Sequence, residues 1–219
     1  MELIFRELEP TDASAYQALR MQALQEEPQA FTRSYDDECT LSNRDFEAHI
    51  TATHNRFTIG VLDGNNLVAC VHFCRSRQSQ RRHLGEISEL YVEPSYRSED
   101  IGKDLISDCI DRAGELPYLT HIDAICSAAS IHARRLFKGA GFAVWGIESN
   151  AIRVKDEPVT QLHMRRPLEP ETEAKKAVET QSAKTQTSAD TGTYAEYAKP
   201  KAAAGKDTSK RITVAAKPG

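Results

Sequence analysis

Residues 84–103, LGEISELYVEPSYRSEDIGK, decide how this chain folds. Leu84 to Val92 alternates well enough for a strand, and Pro94 stops it. A short loop carrying Arg97 follows, and a helix opens at Ile101-Gly102-Lys103. A helix start carries unpaired N–H groups and partial positive charge, so this junction suits a phosphate or diphosphate. Gly102 allows close approach to the backbone there. Two glutamates, Glu86 and Glu89, sit on the strand leading into the junction.

Working outward, Leu3 to Glu9 reads as a first strand. Pro10-Thr11-Asp12 starts a helix in which Tyr16, Leu19, Met21 and Leu24 recur at helical spacing. Ser42 caps a second helix to Thr51, with Phe46 and Ile50 as its apolar side. Arg56 to Asp63 and Leu67 to Arg75 flank Asp63-Gly64-Asn65-Asn66, a hairpin signal. Beyond residue 103, a helix to Glu115, a strand from His121 to Cys126 and a helix capped by Ser130 are expected. Closing strands follow at Phe142–Ile147 and Gln161–Arg166. The order βααβββαβαββ predicts a mixed α/β domain over residues 1–168. After Leu168 the composition shifts to Lys, Ala, Thr, Glu and Ser, so residues 169–219 are expected to form a low-complexity, disordered tail.

The net charge of −4 removes the electrostatic reason to expect nucleic acid. No apolar run approaches the ~20 residues of a membrane span, and MELIFRELEP lacks the apolar core of a signal peptide. Five scattered cysteines, an odd number, predict reduced thiols and a cytoplasmic location. Cys70, His72 and Cys74 share one strand face, but successive side chains there stand ~6.8 Å apart, so buried thiols are expected and no metal. Arg75, Arg77, Arg81 and Arg82 read as a solvated loop. Neither a G-x-G-x-x-G nor a Walker-type phosphate motif is present.

Arg97-x-x-Asp100-x-Gly102 resembles the coenzyme A diphosphate loop of GNAT-type N-acetyltransferases, Arg/Gln-x-x-Gly-x-Gly/Ala. Ser130, Ala133, Leu136, Phe137, Gly141 and Phe142 resemble that family's Asn-x-x-Ala-x-x-Leu-Tyr-x-x-x-Gly-Phe segment. RMQALQEEPQAFTRSYDDE resembles its first helix and following loop. The resemblance covers residues 1–168. It implies a twisted, mostly antiparallel sheet of about six or seven strands flanked by about four helices. It also implies an acetyl-CoA-dependent N-acetyltransferase that acts on a primary amine of a small molecule or peptide in a ternary complex, as a monomer or homodimer.

By the same resemblance, the backbone of Leu90, Tyr91 and Val92 meets the pantetheine amides. The loop Arg97, Ser98, Glu99, Asp100, Ile101, Gly102 and Lys103 holds the diphosphate, with Ser130 and Phe137 nearby. Glu86 falls where several family members carry a general base; Glu89, three residues on, is the alternative, and a bulge decides which faces the cleft. Asp100 stands where the family has glycine, and Phe137 where it has a tyrosine able to protonate the leaving thiolate. Those two departures also imply an alternative, a non-catalytic or weakly CoA-binding interaction module.

Overall fold

In a computed structural model, the described residues are 2–97, 100–168 and 210–213, the last four by backbone alone. Thus Ser98, Glu99 and the remainder of the expected tail lie outside the described residues. The elements are β1 (Glu2–Glu7), α1 (Ala13–Glu26), α2 (Tyr35–Glu38), α3 (Asn43–Ile50), β2 (Arg56–Asp63), β3 (Asn66–Arg75) and β4 (Leu84–Val92). They continue with α4 (Ile101–Gly114), β5 (His121–Ser127), α5 (Ile131–Gly139), β6 (Ala143–Val154), β7 (Glu157–Pro167) and β8 (Lys210–Thr213).

The strands form one sheet in the order β6-β7-β5-β4-β3-β2-β1-β8. Among the described strands all pairings but one are antiparallel; β4 and β5 run parallel. The expected order of elements from β1 to β7 is the observed one. The single-turn α2 and strand β8, four residues of the segment read as tail, add to it. The closing hairpin is longer than its apolar runs suggested, because β6 and β7 continue through polar residues to a turn at Lys155-Asp156. No described helix is long and apolar enough to cross a membrane.

The sheet separates two apolar layers. On one face, Ile101, Leu105, Ile106, Cys109 and Ile110 of α4 are buried with Val71, Phe73 and Ile87. Their spacing is the apolar stripe of a helix lying on a sheet. On the other face, Tyr16, Leu19, Ala23 and Leu24 of α1 and Phe46 and Ile50 of α3 pack with Cys70 and Tyr91. α3 begins at Ser42, whose backbone and hydroxyl both donate to the Asp45 carboxylate.

Candidate active site

β4 carries a bulge. Cys70 pairs with Tyr91 and His72 with Ser88, so two steps along β3 span three along β4. Glu89 absorbs the extra residue with φ at 56°. The bulge changes which side chains share a face. Ile87, Leu90 and Val92 contribute to the α4 layer, while Tyr91 faces α1 and α3. Glu86 and Glu89, three apart and opposed on a regular strand, therefore line one cavity together.

That cavity sits at a fork in the sheet. The ladder between β4 and β5 runs from Leu84/His121 only as far as Ile87/Ala124. Beyond it, β4 continues to Val92 against β3, and β5 continues to Ser127 against β7. The strands are parted over their C-terminal halves, so β4 backbone past Ile87 has no β5 partner. A cavity of about 190 Å³ occupies the fork, between Glu86 and Glu89, Ile125 of β5, Gln161 of β7, Arg20 of α1 and the loop at Arg33.

The two glutamates differ electrostatically. Glu86 makes no side-chain hydrogen bond among the described residues; its side chain reaches solvent, but the protein packed around it partly desolvates the carboxyl and pushes it up, and the neighbouring Asp123 charge pushes the same way. Glu89 is bonded by the Tyr16 hydroxyl at 2.5 Å and by His49 Nε2 at 3.0 Å. Burial opposes its ionisation, but the His49 hydrogen bond and the charges of His49 and Arg20 outweigh that and hold the carboxyl well below its usual range. Burial and the Glu89 charge together push the Tyr16 phenol up, so it stays a donor.

His49 stacks on His72 with ring centroids 4.5 Å apart, and His72 Nδ1 meets the Thr58 hydroxyl at 2.8 Å. Among the described residues, donor atoms of His49, His72 and Glu89 lie within 4.8 Å of one another. Glu89 Oε2 already takes Tyr16 and His49, and stacked imidazoles aim their lone pairs side by side. The cluster is accounted for as a hydrogen-bonded network. Cys70 is buried against the Glu89 carbonyl at 3.6 Å, and burial pushes its thiol up to about 12.

Burial pushes His72 down to about 4 from an ordinary 6.5. Its folded value lies below its unfolded one, so its neutral form stabilises the fold fully above about pH 6.5. That contribution, about 3 kcal/mol at 1.36 kcal/mol per unit, is lost as the pH falls from 6.5 through 4. Urea denaturation of the native protein and His72→Asn across pH 4–7 checks this: the variant's stability is expected to fall less steeply over that window.

At the other end of β4, Asp100 takes the left-handed conformation, φ 56°, as the residue before α4, and its side chain makes no capping hydrogen bond. Its carbonyl accepts from Lys103 and Asp104, leaving amides nearer the helix start directed outward. Gly102 is buried, and a Cβ there would stand 3.2 Å from Leu136 Cδ1, so the glycine also lets α4 approach α5. Arg97 turns back over the strand: Nε donates to the Val92 carbonyl at 2.9 Å and Nη1 to Glu27 at 3.1 Å. Tyr91 donates to Glu26 beside it at 2.5 Å. Lys103 instead lines a cavity of about 440 Å³ between α4 and α5 with His132, Arg135 and Arg166. The Ser130 hydroxyl caps α5 by accepting from the Ala133 amide, and Phe137 is buried edge-on to Phe142.

The structure thus gathers Glu86, Glu89 and the open backbone from Leu90 to Val92 around the fork, with the α4 start beyond. The sequence reading missed Tyr16, Arg20, Glu38 and His49. Arg20 offered a signal, since it lies one turn from Tyr16 within the apolar stripe of α1.

The model of the Acetyltransferase (GNAT) family matches residues 18–142. The fold is similar to that of a GNAT-family acetyltransferase from Streptococcus pneumoniae, with TM-score 0.68, 18% identity, and 76% of this chain and 99% of that one covered. An acetyltransferase from Salmonella typhimurium, solved with its cofactor acetyl-CoA, gives TM-score 0.66 at 17% identity over 77% of this chain and 95% of that one. A phosphinothricin acetyltransferase from Sinorhizobium meliloti in complex with acetyl-CoA gives 0.65 at 19% over 75% and 87%. No curated protein matches the sequence. With the family model spanning more than half its length, the chain belongs to the GNAT family of acetyltransferases.

Proposed function

We propose that the protein transfers an acetyl group from acetyl-CoA to a primary amine, with Glu86 as general base. The observation that carries this reading is the fork between β4 and β5, with a carboxylate at its apex and a helix start at its mouth. Bound acetyl-CoA would supply the activated acyl group as a thioester. The Leu90–Val92 backbone, which has no β5 partner, suits an extended amide-bearing arm once Arg97 yields the Val92 carbonyl, and the open amides around Gly102 suit a diphosphate. Lys103, Arg135 and Arg166 place positive charge in the groove that begins at the helix start.

Glu86 accepts a proton from the ammonium, leaving a lone pair on nitrogen to attack. A strand amide released from the ladder by the bulge donates to the acyl oxygen. The N–C bond forms as the C–S bond breaks. Of the two protons the ammonium loses, one leaves on the thiol and the other passes through Glu86 to solvent. Phe137 has no hydroxyl, so the thiol's proton comes by water or by a tyrosine such as Tyr96, which donates to Asp63 at 2.8 Å. Glu89 is already committed to Tyr16 and His49 and fixes the bulge.

Calorimetry with acetyl-CoA, joined to an assay of free thiol over a broad amine panel, tests the reading. Binding with amine-dependent thiol release is expected; neither, across the panel, would contradict it. Asp100 sets its charge near the diphosphate seat at a position where glycine adopts the same φ without cost. Asp100→Gly is therefore expected to tighten acetyl-CoA by about 3- to 30-fold, an exposed like-charge term reduced by solvent and salt. An unchanged or weakened affinity would place the diphosphate elsewhere.

A further inference from the structure

The cavity at the fork is charged oppositely on its two sides. The β4 wall presents Glu86 and Glu89, whereas the wall from α1 and the following loop presents Arg20 and Arg33. Arg20 is 95% buried and spends only one edge on its ion pair: Nε and Nη2 reach the two Glu38 oxygens at 2.9 and 2.8 Å. Its remaining nitrogen, Nη1, is the one buried side-chain polar atom without a partner among the described residues. The Phe31 ring lies 4.6 Å from the guanidinium carbon and, with Glu38, fixes the group's orientation. Arg33, exposed on the loop, makes no hydrogen bond to another described side chain and lines the same cavity.

A buried donor without a partner costs about 1–3 kcal/mol. It persists where something absent from the free chain completes it. Arg20 lines the cavity with one edge held by Glu38 and the other buried and unpartnered, and a guanidinium so held is suited to an oxyanion. Opposite it, at the base, the site needs an ammonium. We propose that the acceptor is a small zwitterion of the amino-acid type, its amine at Glu86 and its carboxylate, or a comparable oxyanion, on Arg20 Nη1 and Arg33. This rests on the acetyl-transfer reading above. A volume of about 190 Å³ suits one such unit. A peptide N-terminus would bring a neutral carbonyl next to its amine, and a lysine side chain no oxyanion at all.

The test uses the full chain, acetyl-CoA and matched acceptors: free amino acids, their decarboxylated amines, their aminophosphonate counterparts, and peptides with the same first residue. Free amino acids are expected to exceed the decarboxylated amines by about 100-fold or more in kcat/KM, the discrimination of a site whose donors would otherwise stay unpaired. Turnover of the aminophosphonates as well would assign a general oxyanion seat, and their rejection a carboxylate seat. Arg20→Lys, which keeps a cation for Glu38 but loses Nη1, and Arg33→Gln are each expected to raise KM for amino acids about 10-fold or more, with KM for acetyl-CoA unchanged.

A readout independent of turnover is calorimetric binding of the amino acid alone, expected for the native protein and weakened in both variants. If Arg20→Lys does not fold, Arg33→Gln and the acceptor panel decide. Equal use of decarboxylated amines, or a preference for peptides, overturns the zwitterion and leaves acetyl transfer standing. So does acetyl-CoA binding with no amino acid bound or acetylated. Failure to bind acetyl-CoA overturns the underlying reading and this inference with it.

Discussion

Glu86→Gln is expected to lower kcat by about 10²- to 10⁴-fold, the range for removing a positioned general base, while acetyl-CoA binds as before. The amide keeps the size of the side chain but cannot take the proton. The pH profile gives a second signature. Partial desolvation and Asp123 raise the Glu86 carboxyl above its ordinary range, so activity should fall as the pH drops through that raised value. In the Gln variant this acid limb should vanish from what activity remains. Glu89 is a poor candidate for the same role, because a carboxyl held far below its usual range takes up a proton weakly. Glu89→Gln should act mainly on stability, through Tyr16 and His49. A folded Glu89→Gln protein without activity, beside a Glu86→Gln protein with normal activity, would reverse the assignment.

Glu38→Ala is expected to cost about 3 kcal/mol, because it strips the buried Arg20 guanidinium of both its hydrogen bonds and leaves Glu89 as its remaining neighbouring charge. For a chain of this size that corresponds to a fall in Tm of about 6–12 °C. The exposed capping-box acid Asp45 gives the comparison: Asp45→Ala should cost far less. Arg20→Met with Glu38→Leu should recover much of the loss, since replacing both charges removes the uncompensated one. Urea denaturation of the four proteins measures this. A loss below about 1 kcal/mol in Glu38→Ala would mean that water reaches Arg20 and that the ion pair is not structural.

What could be read from the sequence was local. Asp63-Gly64 marked the β2–β3 turn, and Gly64 does take a positive φ of 58°. The helix expected from Ile101 to Glu115 is α4, which ends one residue earlier, at Gly114. Ser130 was identified as a cap from its type and position, and it caps. The fork was not legible in the residues, since where the ladder between β4 and β5 stops depends on how both strands pair with their other neighbours. The bulge was open for the same reason: a glutamate at φ 56° carries none of glycine's warning. Arg20 and Glu38, 18 residues apart, each resemble a surface charge until α2 brings them together. His72 was grouped with Cys70 and Cys74 along its strand, whereas its contacts run across the sheet to Thr58 and up to His49.

The central claim is that parted strands and an open helix start hold acetyl-CoA beside Glu86. A crystal structure with the cofactor tests it most directly. The pantetheine arm should lie against the backbone of Leu90–Val92, with the diphosphate on the amides around Gly102 and the thioester pointing to Glu86. A diphosphate bound away from the α4 start, or β4 and β5 closed along their full length, would contradict it.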